Sequence, residues 1–258
     1  MLWVKDIGQG PPLVMLHAAG TSGRIWWQHI PRLARRFRVL TIDLPGHGQS
    51  PRPKEPLSIE GMSAELYQTL QAWNLSQVNV VGLSLGGMVA QMLAVDHPSS
   101  VRSLTLCDTI FEVGPAQAQV LEERARAVEE GGMRAIAKST LERWFSASFL
   151  ASHPDVVSEV GKLLLAADPM VNAQTWRAIA RLNVASRLPN LHLPALVING
   201  SLDSSISPGE GERLAGLLKA RLVELPGCSH MAPLEAPERF MDLLEPFVSN
   251  CEGGNRGQ

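Results

Sequence analysis

Cysteine is scarce in this chain. The three present, Cys107, Cys228 and Cys251, stand far apart. Isolated cysteines cannot supply the paired spacing of a zinc site, and an odd, scattered count fits a reducing compartment better than a disulfide framework. Charge imbalance is also small. Against 25 acidic residues there are 23 basic ones, a net charge of −2, so neither a nucleic acid nor an anionic membrane surface is indicated as a partner. No uninterrupted apolar run approaches membrane-spanning length. Met1-Leu2-Trp3-Val4-Lys5-Asp6 lacks the basic start and long apolar stretch of a signal peptide. Internal repeats are missing, and the only low-complexity stretch is a short polar tail. The expectation is a soluble cytoplasmic protein, with its oligomeric state left open. With 258 residues, 45% of them hydrophobic, the chain can bury one large domain, or a core domain with an insertion.

What is present centres on Val78-Asn79-Val80-Val81-Gly82-Leu83-Ser84-Leu85-Gly86-Gly87-Met88. A short valine-rich run breaks into small residues. It continues as Leu85, Met88, Val89, Met92 and Leu93, the spacing of one helix face. The pattern predicts strand, sharp turn, helix, with a serine at the turn. Gly82-Leu83-Ser84-Leu85-Gly86 has the G-x-S-x-G form of a nucleophile elbow. The serine must take a strained backbone conformation to lift its hydroxyl clear of the sheet. Glycines on either side let strand and helix approach each other. The helix start also turns free N–H groups toward developing negative charge. A tight turn that merely contains a serine is the plainer alternative.

Elsewhere, strands are expected at Leu2 to Ile7, Leu13 to Leu16, Arg38 to Asp43, Val101 to Asp108, Ala195 to Gly200 and Arg221 to Leu225. Helices are expected from about Trp26 to Ala34, from Ile59 to Trp73 behind a capping Ser58, after Ser84 as far as Asp96-His97-Pro98, from Glu210 to Leu218, and from Pro237 to near Val248. Alternating strand and helix argues for a largely parallel sheet covered on both faces. Between Phe111 and Leu188 there are helical patterns and no convincing strand. The faces are Leu121, Ala125 and Val128; Met133, Ile136, Ala137, Leu141, Trp144 and Phe145; Val156, Val160, Leu163 and Leu164; and Trp176, Ile179 and Ala180. Such a block between parallel strands reads as a helical cap over the strand ends. The division is thus 1–110 and 189–249 as core, 111–188 as cap, and 250–258 as an unstructured tail.

A serine hydroxyl needs a base within hydrogen-bond reach, and the base needs a partner that holds its tautomer. Three residues just past predicted strands supply these roles: Ser84, Asp203 and His230. Parallel strands deliver their C-terminal loops to one edge, where the three can meet, and the order Ser…Asp…His is that of the elbow. Asp108 also ends a strand and is a rival acid. The backbone N–H groups of Leu85 and Ala19 are the candidates for holding an oxyanion. His17 is read as shaping the Ala19 loop, and His47, between Gly46 and Gly48, as bracing its own turn.

Five motifs in order resemble the α/β-hydrolase superfamily. They are Leu16-His17-Ala18-Ala19-Gly20, Asp43-Leu44-Pro45-Gly46-His47-Gly48-Gln49-Ser50, Gly82 to Gly87, Gly200-Ser201-Leu202-Asp203 and Gly227-Cys228-Ser229-His230. The resemblance implies an α/β fold with a mostly parallel eight-stranded sheet flanked by helices, a Ser-His-Asp triad, no metal and no cofactor. The usual His-Gly of the oxyanion loop is here His17-Ala18-Ala19-Gly20. Within the cap, Glu130 to Ala137, Leu141-Glu142-Arg143-Trp144-Phe145 and Ala167-Asp168-Pro169 are similar to the 3-oxoadipate enol-lactonase group, which opens a lactone in bacterial catabolism of aromatic acids. That similarity puts Trp144 and Arg143 near the acyl pocket, with Arg143 holding a substrate carboxylate. Arg24, Arg177 and Arg181 are rivals for that task, and Trp144 could equally be cap packing. His17 and Met231 are further candidates for contact with substrate.

The expected activity is hydrolysis of a small ester or lactone. Two alternatives share the fold: cleavage of a carbon–carbon bond in a dienoate ring-fission product, and a ligand receptor with little or no turnover. Enzymes of the first kind often carry tryptophan directly after the histidine, where this chain has Met231. An intact triad disfavours the second.

Overall fold

Apolar runs bounded by glycine and proline become seven strands. In the computed structural model, which describes residues 1–253, they are β1 (Val4–Ile7), β2 (Pro12–Leu16), β3 (Arg38–Ile42), β4 (Val78–Leu83), β5 (Val101–Cys107), β6 (Ala195–Gly200) and β7 (Arg221–Leu225). They form one sheet in the order β1-β3-β2-β4-β5-β6-β7. Only β1 runs antiparallel to its neighbour; the others pair parallel. Every residue of β4 is buried, as a strand covered on both faces requires. Eight strands were expected. The seven found are those legible as apolar runs. The eighth followed from the resemblance alone, and no run among the described residues supplies it.

The helices are α1 (Ile30–Leu33), α2 (Ile59–Ala72), α3 (Leu85–Asp96), α4 (Pro115–Trp144), α5 (Ala147–Ser152), α6 (Pro154–Ala166), α7 (Pro169–Ile179), α8 (Glu210–Leu218), α9 (Ala232–Glu235) and α10 (Pro237–Gly253). Ser58 caps α2 as predicted, its Oγ accepting from the Gly61 N–H. The single helix expected from Trp26 to Ala34 is instead a 3-10 turn, Gly23–Trp26, followed by the one turn of α1. Pro31 lacks an N–H and fits only in a first helical turn, so it marks a new start there.

Helices α4 to α7 all lie between β5 and β6, and α4 packs against α6 and α7. Two of the predicted faces belong to the single element α4, which is broken at Gly132 (φ +66°, ψ −170°). Glycine takes that left-handed φ at little cost, and the break turns the second half of α4 to a new direction. At the other end of the chain, α10 runs to Gly253. The expected unstructured tail therefore loses residues 250–253 to helix, and 254–258 lie outside the described residues. No helix among the described residues is long and apolar enough to cross a membrane.

The chain order reverses between β2 and β4, which sit side by side while the connections leave in opposite directions. At such a switch point the loops after neighbouring strands part and leave a crevice. The loop holding Ala19 follows β2 there, and Ser84 follows β4.

Candidate active site

Ser84 sits between β4 and α3 with φ +52° and ψ −111°. A non-glycine residue at such angles costs about 1–3 kcal/mol and persists only where its surroundings impose it. Here they do. The Ser84 N–H donates to the Cys107 carbonyl at 2.9 Å, and the Ser84 carbonyl accepts from Thr109 Oγ1 at 2.7 Å. The flanking glycines are dictated by space. A Cβ on Gly82 would lie 2.4 Å from the Gly86 carbonyl oxygen, and one on Gly86 would lie 2.4 Å from that of Leu16.

His230 follows β7, and its ring spans the two partners predicted for it. Nε2 lies 2.9 Å from Ser84 Oγ, and Nδ1 lies 2.8 Å from Asp203 Oδ2. With Nδ1 protonated and donating to the carboxylate, Nε2 is left to accept from the serine hydroxyl. Asp203 Oδ1 accepts from the Ser205 N–H at 2.7 Å, which fixes the carboxylate plane. Asp108, the rival acid, points elsewhere. Its Oδ1 accepts from Gly200 N–H at 2.7 Å and its Oδ2 from Ala232 N–H at 3.3 Å. Burial, reinforced by the neighbouring Asp203 charge, holds its pKa well above the usual carboxylate range. Asp108 thus ties the ends of β5 and β6 to the start of α9 and leaves the imidazole to Asp203.

The N–H groups of Ala19 and Leu85 donate to no protein acceptor among the described residues. The loop carrying Ala19 is held by Gly86 N–H donating to the His17 carbonyl at 3.0 Å. Ser84, His230 and Ala19 line one cavity of about 610 Å³, together with Trp144, Arg143, Trp176 and others. A larger hollow of about 750 Å³, between Arg102, His192 and Phe247, contains none of these residues.

Among the predicted contact residues, Arg143 and Trp144 reach the cavity. The Trp144 ring stacks near His230, with centroids 6.4 Å apart. Arg143 Nε donates to Ser205 Oγ at 3.1 Å. His17 and Met231 do not reach it. Both are fully buried outside the cavity wall. His17 donates from Nδ1 to the Ala18 carbonyl and accepts at Nε2 from Leu44 N–H, each at 2.9 Å, so both nitrogens are spent on joining two loops. The Met231 N–H donates to the Trp144 carbonyl at 3.0 Å. The rival cations are occupied or remote. Arg177 pairs with Glu122 and Glu129, Arg181 donates to the Leu57 carbonyl, and Arg24 lines a separate small hollow with Glu159.

Two residues the sequence did not flag belong to this site. Arg124 lines the cavity; its place in an amphipathic run did not reveal which face of α4 would turn inward. Glu235 stitches the His230 loop to the end of α4. Its Oε1 accepts from Ser229 N–H at 2.6 Å, and its Oε2 accepts from the N–H and hydroxyl of Ser146 at 3.1 and 2.5 Å. Ser229 Oγ adds a bond to the Arg143 carbonyl at 2.9 Å. An acid one turn past a histidine was the available signal, but it has meaning only once the two loops are seen side by side.

The buried histidines carry a prediction about acid. Burial lowers the pKa of His17 from 6.5 to about 4, against a smaller opposing effect of the bond to Ala18. Burial likewise lowers His29 to about 4, opposed by its bond to Pro233. Above pH 6.5 these rings are neutral whether the chain is folded or not. Below it the unfolded chain binds protons that the folded one refuses, so stability is lost as pH falls from 6.5 to about 4. At about 1.4 kcal/mol per unit, each ring removes up to about 3 kcal/mol over that window. Urea unfolding at stepped pH will show the midpoint falling, with a shallower fall in a His29→Gln variant. A flat midpoint between pH 6.5 and 4.5 would refute the assignment.

A profile of the alpha/beta hydrolase fold matches residues 11–237. Among curated proteins, 3-oxoadipate enol-lactonase 2 of Acinetobacter baylyi is 28% identical over 238 residues, covering 92% of this chain and 88% of that one. The pimeloyl-[acyl-carrier protein] methyl ester esterase of Chromobacterium violaceum is 31% identical over 254 residues, covering 94% and 96%. Among solved structures, the enol-lactonase from Burkholderia xenovorans LB400 superposes with a TM-score of 0.90 at 30% identity, covering 96% of each chain.

Proposed function

The chain belongs to the alpha/beta hydrolase family, and from that premise we propose that it is a serine hydrolase acting on a small carboxylic ester or lactone. The observation that carries this is the unbroken line Asp203–His230–Ser84, with links of 2.8 and 2.9 Å, ending at a cavity wall. Ser84 Oγ attacks the ester carbonyl while His230 Nε2 takes the hydroxyl proton. Asp203 accepts the Nδ1–H bond and stabilises the imidazolium that forms. The Ala19 and Leu85 N–H groups receive the oxyanion; a donor of this kind is worth about 10²–10³ in turnover. His230 then protonates the leaving oxygen, and a water activated by the same ring frees the acyl group. Residues 111–188 act as a cap over a core of 1–110 and 189–249, and the cavity lies between them.

One relative is named for an enol-lactone, a cyclic ester, and another for a methyl ester. Attack on an ester carbonyl serves both. The cyclic substrate is favoured by Arg143 and Trp144 in the cavity wall, with Arg143 taking a substrate carboxylate and Trp144 flanking the acyl group. The test is a panel of p-nitrophenyl esters, γ- and δ-lactones, a carboxylate-bearing enol-lactone and a ring-fission dienoate, together with labelling by a fluorophosphonate. Turnover of esters or lactones, with the label on the peptide containing Ser84, is expected. Turnover of the dienoate alone, or a label on another residue, would overturn the proposal.

A further inference from the structure

The cavity holds more positive charge than attack by Ser84 requires. Two guanidinium groups line it, those of Arg124 and Arg143. They lie on opposite sides of the Gly132 break in α4. Along an unbroken helix their Cα atoms would stand about 28 Å apart at 1.5 Å per residue. The break lets both face one cavity.

Neither group forms an ion pair with a carboxylate among the described residues, although the Asp203 charge acts on Arg143 from farther off. Arg143 gives one N–H to Ser205 Oγ and keeps the rest of its fork. Arg124 lies with its guanidinium carbon 4.7 Å from the centre of the Trp176 ring and makes no hydrogen bond to the described residues. Trp176 is itself anchored, its Nε1–H donating to Asn172 Oδ1 at 2.8 Å, and it lines the same cavity. Neighbouring cations are treated differently. Arg126 pairs with Glu122, and Arg177 with Glu122 and Glu129. The one carboxyl on the cavity wall among the described residues is Asp108. Both its oxygens are engaged, and burial together with the Asp203 charge disfavours its ionised form. Two guanidinium forks with no carboxylate bonded to them favour an anionic ligand, and each planar donor pair matches the two oxygens of a carboxylate.

Resting on the serine-hydrolase reading, which it deepens, we propose that the substrate is dianionic: an ester or lactone carrying two carboxylates, one held by Arg143 and the second by Arg124 on its Trp176 platform. The test compares three aryl esters. They are p-nitrophenyl butyrate with no carboxylate, mono-p-nitrophenyl glutarate with one, and mono-p-nitrophenyl tricarballylate with two. In wild type, kcat/KM rises along the series. In Arg124→Gln, the ratio of kcat/KM for the dianion to that for the monoanion falls about tenfold or more, mostly through KM, as loss of a charge-assisted pair predicts. Arg124→Lys, which keeps the charge but loses the fork, recovers part of it. Arg124→Met, which keeps the stem on Trp176, repeats the loss and serves if the glutamine variant does not fold. An unchanged ratio, or an equal loss on the monoanion, overturns the proposal. Binding of monomethyl tricarballylate and monomethyl glutarate to Ser84→Ala protein, measured by calorimetry, separates the two levels. Dianion binding that depends on Arg124, with no ester turnover in wild type, keeps this site and sinks the hydrolase. Ester turnover in wild type, with no Arg124-dependent preference, keeps the hydrolase and sinks this site.

Discussion

Replacing Ser84 with alanine is expected to lower kcat for the best ester or lactone substrate by about 10⁴- to 10⁶-fold. The hydroxyl lies 2.9 Å from His230 Nε2, and no other nucleophile among the described residues is poised to replace it. What survives should come from the Ala19 and Leu85 N–H groups and from substrate binding, which persist in the variant. Folding should barely change. The Ser84 side chain bonds only to His230 among the described residues, and alanine bears the same positive φ as serine. Steady-state turnover and a thermal midpoint, measured on the same preparation, check both halves. A loss below a hundredfold with an unchanged midpoint would move the nucleophile elsewhere.

The second large effect separates two acids that the sequence left in competition. Asp203→Asn should cut kcat by about 10⁴, because an amide at Oδ2 reverses the bond to His230 Nδ1 and favours the wrong tautomer. Asp108→Asn should do something else. Its carboxyl accepts from two backbone N–H groups, those of Gly200 and Ala232. An asparagine turns one acceptor into a donor facing a donor, and an unsatisfied buried group costs about 1–3 kcal/mol. The expected pattern is an inactive but stable Asp203 variant and an active but destabilised Asp108 variant. Urea unfolding read beside turnover checks it. If Asp108→Asn proves the more damaging to kcat at equal stability, the assignment of the acid is reversed.

Much of this site was legible before any fold was known. The turn at Ser84, the strand ends carrying Asp203 and His230, and the loop with Ala19 are local features, and each lies where it was expected. The error over the eighth strand came from likeness to other chains, since the apolar runs themselves number seven. The errors over His17 and Met231 have another cause. Met231 directly follows a residue that lines the cavity and His17 lies two before one, and such nearness along the chain does not fix where a side chain points. His17 turns into the protein to join two loops, while Ala19 lines the cavity.

The order of strands and helices, the glycines at the elbow with the serine between them, and the three loops bearing Ser84, Asp203 and His230 can all be read from the chain alone. Apolar periodicity, missing N–H groups and positive φ are properties of a few adjacent residues, so they can be read along the chain. Which of two acids meets His230, which arginines face the cavity, and the tie that Glu235 makes between the His230 loop and Ser146 emerge only when the chain is folded. Which arginines face inward depends on how each half of α4 is rotated and where Gly132 redirects it, whereas the acid and the Glu235 tie depend on which loops lie side by side. These outcomes involve residues tens to more than a hundred positions apart, whose contact no local pattern encodes.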